Sequence, residues 1–258
     1  MFALVPFLVV LFCALMIQIG VNFANDLADA QKGADTEARI GPTRAVASGI
    51  ISEADMKRAI AMTFGAAAIG GLYLIWYAGW PILVIGSISI VAALGYTNGP
   101  IPYGYYGLGE AFVFVFFGLV ATAGTRYVFS PSVPAAVWTG GVVMGLLAAA
   151  ILEANNIRDI DTDRGAGKRT LAVVLGRPRA RKLYAATVFG AFGVILVGSL
   201  VGWLPFMAMI ALVVAPLAIP LVRTINTETE GPPLIGVLKG TAQVQLFAGL
   251  LLALGIAF

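Results

Sequence analysis

Histidine is absent from the 258-residue sequence, and cysteine occurs once, as Cys13. The absence of histidine removes the commonest general base and the commonest protein ligand of zinc and haem. A single cysteine excludes a disulfide within the chain, and its place in an apolar run is typical of a small buried side chain. Any metal ion in this protein therefore has to be bound through oxygen atoms.

Charged residues are also scarce: they make up 11% of the sequence, whereas 60% is hydrophobic and the mean hydropathy is +0.94. This composition lies outside the usual range of soluble globular proteins. A helix needs about 20 apolar residues to cross a bilayer, and the sequence has several such runs. The first, residues 1–20, lacks the basic start and the cleavage pattern of a signal peptide. We therefore expect an integral membrane protein that keeps this first span.

Hydropathy and helix-breaking residues predict an all-α, polytopic helical bundle that forms a single membrane domain over residues 1–258. The eight predicted helices cover about residues 2–24, 58–78, 81–97, 108–125, 135–155, 182–201, 204–222 and 235–257. If they alternate in direction, fifteen of the sixteen lysines and arginines fall on one side, and Arg126 alone falls on the other. Because cytoplasmic segments retain Lys and Arg, we expect that side to be cytoplasmic and Met1 to lie outside.

The two halves of the sequence, about residues 1–134 and 135–258, begin alike. Each starts with an apolar helix, continues with asparagine and aspartate, and then has a basic segment that contains glycine. With four helices in each half, both polar segments return to the same side of the membrane. This pattern favours a parallel internal repeat.

Carboxylates and amides recur at helical spacing in both polar segments, which puts each set on one helix face. The first set is Asn22, Asp26 and Asp29, and the second is Asn155, Asp159 and Asp163. Two carboxylate stripes at the negative ends of helices make electrostatic sense with a cation. Because the ligands are oxygen atoms only, we expect Mg²⁺, which usually joins a few carboxylates to substrate phosphates.

Basic residues follow both stripes, where a metal-bound polyphosphate would project. They are Arg44, Arg158, Arg164, Lys168 and Arg169. For either stripe alone, a solvated helix end with intrahelical salt bridges is an alternative. The matched pair is harder to explain in that way, so we expect it to be functional.

Several other polar positions allow two interpretations. Glu110 either complements the N-terminus of its helix or faces the same cavity as the aspartates. The tyrosines of residues 98–107 form either an interfacial aromatic belt or the lining of a pocket for an aromatic substrate. Asp35 is either a loop residue or a support for the metal ligands, whereas we expect Asp161, in the opposite helical phase, to face water.

A metal-bound diphosphate at the mouth of an apolar bundle points to a lipid diphosphate substrate with its tail between helices. Mg²⁺ and cationic side chains would stabilise the departing diphosphate and leave an allylic carbocation for an electron-rich acceptor. No histidine base or covalent nucleophile is required. The residues favour phosphoryl or prenyl transfer and do not identify the acceptor.

The Asp-rich segments NDLAD and NNIRDIDTD resemble the paired motifs of the UbiA-type intramembrane prenyltransferases. Longer segments are similar to the 1,4-dihydroxy-2-naphthoate polyprenyltransferase branch, which serves menaquinone synthesis. They are NFANDLADAQKGAD, RIGPTRAVASG, GPIPYGYYGLGEAFVFVFFG, GTRYV and NNIRDIDTDRGAGKRTLAVVLG. The resemblance implies a helical bundle around a central cavity, a polyprenyl diphosphate donor, and dihydroxynaphthoate that is prenylated with loss of its carboxyl group, giving demethylmenaquinone.

The resemblance also implies roles for individual residues. It implies Mg²⁺ at both motifs, held by Asp26, Asp29, Asp159 and Asp163, which are also the expected catalytic residues. It implies that asparagines orient ligands or waters and that Lys168 and Arg169 contact diphosphate. The full set of expected substrate-binding residues is Asn22, Asn25, Arg44, Asn155, Asn156, Arg158, Lys168, Arg169, Tyr96 and Glu110.

One departure from the family concerns the N-terminus. The family usually crosses the membrane about nine times and starts in the cytoplasm, so we expect either that the start site is assigned too late or that a first helix is lost. Other UbiA-type acceptors, such as 4-hydroxybenzoate, a chlorophyllide or a glycerol phosphate lipid, are alternatives. A small-molecule or ion transporter is a further alternative, although transporters more often place carboxylates near mid-membrane.

Overall fold

A computed structural model describes residues 3–33, 44–99, 102–229 and 231–258 of the protein. In these ranges the chain is helical, with no strand. The long helices are α1 (Leu4–Gln31), α2 (Glu53–Ala78), α3 (Pro81–Gly95), α4 (Gly109–Phe129), α5 (Ala135–Arg158), α8 (Arg177–Leu200), α9 (Phe206–Thr227) and α10 (Pro232–Ala257). The short helices α6 (Ile160–Gly165) and α7 (Leu171–Leu175) lie between α5 and α8.

All eight predicted membrane helices are present, which confirms the all-α membrane fold. Seven of the described helices are long and apolar enough to cross a bilayer. The eighth, α3, has 15 residues and would extend about 22 Å as a helix, which is short of a full span. Asp35, for which two interpretations are open, lies outside the described residues.

Helix α1 is longer than predicted, because it continues past residue 24 to Gln31. Hydropathy indicates where the apolar run ends and not where the helix ends, so it places the end of α1 too early. The last two turns of α1 carry Asn25, Asp26 and Asp29. The first aspartate motif is therefore part of a regular helix.

Helix starts follow ordinary local rules. Ser52 caps α2 by accepting a hydrogen bond from the backbone N–H of Asp55, and Thr170 caps α7 in the same way through the N–H of Val173. Prolines occupy the first turns of α3, α8 and α10, where the missing N–H is not needed. Pro216 lies inside α9, close to where its 3₁₀ turns become α-helical at Ala218.

The described chain divides into two compact units. Unit 1 comprises Met1–Tyr105 and Gly124–Ser132, and unit 2 comprises Tyr106–Ala123 and Val133–Phe258. This division does not coincide with the expected half-repeats, because residues 106–123 group with the second half of the chain. The internal repeat itself stays a prediction.

Unit 1 is held together by close packing of α1 on α2. Gly20 lies against the side chains of Thr63 and Phe64, and Gly70 lies against the sulfur of Cys13. A small apolar core joins α1, α2, α3 and the last turn of α4, and consists of Cys13, Leu74, Ile82 and Val128. Cys13 is buried, as expected.

Unit 2 is built around α5, whose apolar face is buried against α4, α8 and α10. Helix α4 contains a π-helical stretch from Phe114 to Val120, and this stretch contacts α5 through glycines. A Cβ atom on Gly118 would lie 2.5 Å from the carbonyl oxygen of Gly141, and one on Gly145 would lie 2.6 Å from that of Phe114. The two backbones meet directly, which only glycine permits here.

Candidate active site

The first aspartate motif belongs to unit 1 and starts from Asp26 at the end of α1. Both carboxylate oxygens of Asp26 accept backbone hydrogen bonds, from the N–H of Ala45 at 3.0 Å and from the N–H of Val46 at 3.1 Å. Asp26 is buried. Its negative charge is therefore compensated by the start of the turn at residues 45–49, which it attaches to α1.

Asp29, one turn further along α1, binds two side chains. Its Oδ1 accepts a 2.5 Å hydrogen bond from the hydroxyl of Tyr105, and its Oδ2 pairs at 3.2 Å with Nη2 of Arg44. Asp29 is 4% exposed. The structure thus brings Arg44 to the first motif, as the sequence predicts, and adds a tyrosine that the sequence did not single out.

Lys32 and Thr97 complete the surroundings of this motif. The ammonium of Lys32 lies 4.2 Å from the centre of the Tyr105 ring and donates to the carbonyl of Thr97. The Thr97 hydroxyl donates to Oδ1 of Asn25 at 2.9 Å. Sequence reasoning missed Thr97 as well as Tyr105. The tyrosine-rich segment at residues 98–107 was the available signal for Tyr105.

The other tyrosines of this segment have different surroundings. Tyr103 donates to the carbonyl of Ala92 at 2.6 Å, and burial raises its pKa to about 12, so it stays protonated. The ring of Tyr96 meets that of Tyr103 edge-on, with the centroids 5.4 Å apart. Tyr106 is 56% exposed. A role for Tyr96 in substrate binding stays a prediction.

Asn22 is not brought into the hydrogen bonds of the first motif. It is exposed, and its amide donates to the carbonyl of Gln18 in its own helix at 3.0 Å. Helical spacing predicts a shared face for Asn22, Asp26 and Asp29. In the described part of unit 1, only the two aspartates of this set are buried.

The second motif belongs to unit 2 and begins where α5 ends. Arg158 is the last residue of α5. Its guanidinium donates two hydrogen bonds to the carboxylate of Asp159, from Nε to Oδ1 at 2.6 Å and from Nη2 to Oδ2 at 2.5 Å. The same Nη2 donates to Oδ1 of Asn155 at 2.8 Å. Arg158 and Asp159 are both buried. This fork is the geometry in which arginine binds a carboxylate most strongly.

The second set of polar residues runs across a helix break, because Asp159 separates α5 from α6, and α5 ends at Arg158 and not at about residue 155. Asp159 has φ −95° and ψ 9°. The spacing survives the break, because the N–H of Asp159 donates to Asn155 and that of Asp163 donates to Asp159. These two bonds keep the helical spacing of Asn155, Asp159 and Asp163 across the break.

The basic tail of the second motif lies in and after α6. The N–H of Lys168 donates to the carbonyl of Asp163 at 2.9 Å, next to Gly167 with φ 73°. Lys168 is half-buried and Arg169 is exposed. Within the described ranges, the structure shows no ion pair for Arg169, which leaves its charge available to a ligand.

Asp161 faces water, as predicted: its side chain is 74% exposed. It pairs with Arg177 at 2.7 Å and with Arg164 at 3.6 Å. Arg177 also donates to the carbonyl of Ile157 in the last turn of α5. In the structure Arg164 pairs with this exposed aspartate, and its contact with a polyphosphate stays a prediction.

Glu110 lines a small cavity of unit 2, and whether it complements the start of its helix or faces the aspartates stays open. It lies in the first turn of α4 and is buried, and Nδ2 of Asn156 donates to its Oε1 at 2.9 Å. A second buried glutamate, Glu153, lines the same cavity and accepts from the hydroxyl of Thr187 at 2.9 Å. Sequence reasoning missed Glu153, because it is a lone acid inside an apolar run.

The donor sets fit Mg²⁺ shared with a phosphate ligand. Among the residues that the structure describes, no three acidic or cysteine side chains gather closely enough to enclose a metal ion. Mg²⁺ rarely uses such a cage and more often takes one or two carboxylates, waters and substrate phosphates. Each carboxylate oxygen of Asp26 and Asp159 accepts a hydrogen bond, and a carboxylate oxygen has a second acceptor position for a cation.

Comparison with known proteins gives a consistent result. The model of the UbiA prenyltransferase family matches residues 1–234. A 1,4-dihydroxy-2-naphthoate octaprenyltransferase of Escherichia coli (strain K12) is 38% identical, with 96% of this chain and 83% of that protein covered. The Mycobacterium tuberculosis protein of the same description is also 38% identical, covering 97% and 85%.

Among solved structures, the chain is similar to the apo structure of a UbiA homolog from Aeropyrum pernix K1. The TM-score is 0.74 at 17% identity, and the match covers 100% of this chain and 90% of that one. At this identity the likeness supports the fold and not a substrate.

Proposed function

The chain belongs to the UbiA prenyltransferase family, and from this premise we propose that it transfers a polyprenyl group from polyprenyl diphosphate to 1,4-dihydroxy-2-naphthoate. Carbon dioxide and diphosphate leave, and the immediate product is the prenylated 1,4-dihydroxynaphthalene, which is the reduced form of demethylmenaquinone. The observation that carries the proposal is the similarity to two octaprenyltransferases with that acceptor in their descriptions, each 38% identical and covered over more than four fifths of its length.

The diphosphate is bound, in this proposal, by the charged groups of the two aspartate motifs. Mg²⁺ would be held by Asp26, Asp29, Asp159 and Asp163, and when bound it supplies positive charge that stabilises the leaving diphosphate. The pairing of a buried carboxylate with an arginine in each motif, Arg44 in one and Arg158 in the other, supports this assignment. Arg44 is paired with Asp29, and Arg158 holds Asp159 in a fixed orientation through two bonds. Arginine is also well suited to bind phosphate oxygens.

The remaining residues have supporting roles in this reaction. Lys168 and Arg169 bind the outer phosphate oxygens, and asparagines orient ligands through their amides. Asn156 acts through Glu110, to which it donates. Excess Lys and Arg in the segments that carry both motifs supports a cytoplasmic site, where the two soluble species, diphosphate and dihydroxynaphthoate, are exchanged. The prenyl tail stays in the membrane among the apolar helices.

A product assay tests the proposed acceptor. Purified protein in detergent is given a labelled polyprenyl diphosphate, Mg²⁺ and one acceptor at a time: 1,4-dihydroxy-2-naphthoate, 4-hydroxybenzoate, a chlorophyllide or a glycerol phosphate lipid. We expect a prenylated naphthol and labelled carbon dioxide from carboxyl-labelled dihydroxynaphthoate. Transfer to another acceptor with none to dihydroxynaphthoate would reject the assignment.

A substitution in the second motif tests the metal site. We expect Asp159→Asn to lower prenyl transfer by about 100-fold or more, because the amide carries no charge for Mg²⁺. Asp161→Asn, two residues away and exposed, is the matched control and should keep nearly full activity. Equal activity of the Asp159 variant and the control at saturating Mg²⁺ would show that Asp159 does not bind the metal.

A further inference from the structure

Unit 2 has a small cavity whose lining does not include the aspartates of the second motif. It has a volume of about 10 Å³ and is lined by six apolar residues and two acids. The apolar residues are Ile157, Leu171, Ala172, Leu175, Ala180 and Leu183, and the acids are Glu110 and Glu153. This volume is close to the space that one water molecule needs.

Each glutamate uses only one of its two oxygens. Oε1 of Glu110 accepts from Asn156, and Oε1 of Glu153 accepts from Thr187, both at 2.9 Å. The second oxygen of each, Oε2, is buried and has no hydrogen-bond partner within the described part of the chain. The two residues are 7% and 5% exposed, respectively. Two buried acceptors around one small cavity require a donor, because an unpaired buried polar atom is costly.

Among the residues that the structure describes, no side chain supplies this donor. No lysine or arginine is among those that line the cavity. On α5, Arg158 is bound to Asp159 and Asn155. On α8, Nη2 of Arg181 donates to the carbonyl of Glu228, its Nε is buried without a partner in the described part of the chain, and the Tyr184 hydroxyl is bonded to Thr241.

Two unscreened negative charges at this place would repel each other at close range in a medium of low dielectric constant. The two groups line one small cavity, so a charge on one raises the energy of a charge on the other. A proton removes one charge and provides the missing donor. A water molecule in the cavity would then bond to the second oxygen of both acids.

We propose that Glu110 and Glu153 form a buried binding site for a hydrated proton, with one proton held between their two carboxyl groups through a single enclosed water molecule. The site lies between the start of α4, the last turns of α5, and helices α7 and α8. It is distinct from the aspartates proposed to bind metal. Its consequence is that unit 2 keeps its packing only while the pair holds the proton.

Infrared spectroscopy tests the site directly. A protonated carboxyl group has a C=O stretch that is separate from the carboxylate bands, and exchange into heavy water shifts it. We expect the wild-type protein to show this band at neutral pH and the double variant Glu110→Gln/Glu153→Gln to lack it. Identical wild-type and double-variant spectra in the carboxyl region would overturn the proposal.

Thermal unfolding provides a second, independent measurement on the detergent-purified protein. Loss of the shared proton leaves a second buried charge, so the wild-type midpoint should fall by several degrees as the pH rises from about 6 to about 9. In the double glutamine variant the side chains at positions 110 and 153 are neutral at every pH, so its unfolding midpoint should fall less than that of the wild type over the same pH range. Asp161→Asn, an exposed acid in the same unit, is the matched control and should decline as the wild type does.

Sodium is the competing occupant, and one further comparison separates it from the proton. The unfolding midpoint is measured at fixed pH and ionic strength with sodium chloride or choline chloride. We expect the same midpoint in both salts. A wild-type midpoint that rises with sodium, and does so only when both glutamates are present, would assign the cavity to a metal cation and overturn the proton site.

Discussion

The hydroxyl of Tyr105 donates a 2.5 Å hydrogen bond to Oδ1 of Asp29, while the Lys32 ammonium lies over the tyrosine ring. The tyrosine therefore links a cation to a carboxylate of the first motif. Its phenol fixes one oxygen of Asp29, and Arg44 fixes the other. Tyr105 is a positioning residue in the proposed reaction, because it acts through the aspartate.

Removing this hydroxyl should weaken donor binding. We expect Tyr105→Phe to raise the KM for polyprenyl diphosphate about tenfold, because a hydrogen bond to a charged group contributes about 1.5–3 kcal/mol. The Mg²⁺ concentration needed for half-maximal activity should rise in parallel. Tyr106→Phe, which alters a neighbouring tyrosine that is 56% exposed, is the control. Equal kinetic constants for the two variants would remove Tyr105 from the site.

The pair Arg158 and Asp159 should be strongly coupled in stability. We expect Arg158→Ala to destabilise the protein by about 3–5 kcal/mol, because it leaves a buried charge unpaired. The double variant Arg158→Ala/Asp159→Ala should be less destabilised than the sum of the two single variants. Denaturant unfolding in detergent measures all three. The exposed pair of Arg164 and Asp161 serves as the comparison, and we expect its two residues to be coupled by at most about 1 kcal/mol. If the two single substitutions at the buried pair have additive effects on stability, Arg158 and Asp159 do not form the two-bond pair seen in the structure.

The glycines at which α4 and α5 meet in unit 2 should not tolerate the addition of a methyl group. We expect Gly118→Ala to destabilise the protein by about 1–3 kcal/mol or to prevent folding, since its Cβ would lie 2.5 Å from a backbone oxygen. Gly193→Ala, at an exposed position of α8 with no atom within 4 Å, should be neutral or stabilising by up to about 1 kcal/mol. Thermal unfolding of both variants tests this, and a stable Gly118 variant would mean that α4 and α5 are further apart.

Cys13 should act as an internal reporter of unfolding. Its sulfur is buried between α1 and α2 and donates a weak hydrogen bond to the carbonyl of Ala67 at 3.5 Å. We expect a maleimide to label it slowly in the folded protein and at least about 100-fold faster after denaturation, because only the exposed thiolate reacts. As it is the one cysteine in the sequence, no control substitution is needed. Rapid labelling of the folded protein would show that α1 and α2 separate readily.

The sequence predicts the number and order of the long helices well, because the length of an apolar run largely determines whether a helix spans a bilayer. The prediction of helix boundaries and helix type fails where hydropathy carries no information. The polar end of α1, the backbone break at Asp159, and the π-helical stretch at Phe114–Val120 depend on hydrogen bonds and on packing between helices.

The same distinction applies to the candidate site. Asp26, Asp29, Asp159 and Asp163 stand out because carboxylates at helical spacing are rare next to apolar runs. Tyr105 and Thr97 do not, because each reaches its motif from more than 70 positions away along the chain. Such contacts require the folded structure, since spacing reports only on neighbours within one helix.

Because Asp26 is bonded to the turn at residues 45–49, two backbone amides of this turn report how often the turn detaches from α1. The N–H groups of Ala45 and Val46 are bonded to the carboxylate and not to water, so their hydrogens exchange with solvent only when the turn detaches. Their exchange rates therefore measure how often the first motif opens. A ligand that binds Asp29 and Arg44 without disturbing Asp26 should slow both exchange rates together, whereas one that recruits Asp26 should release them.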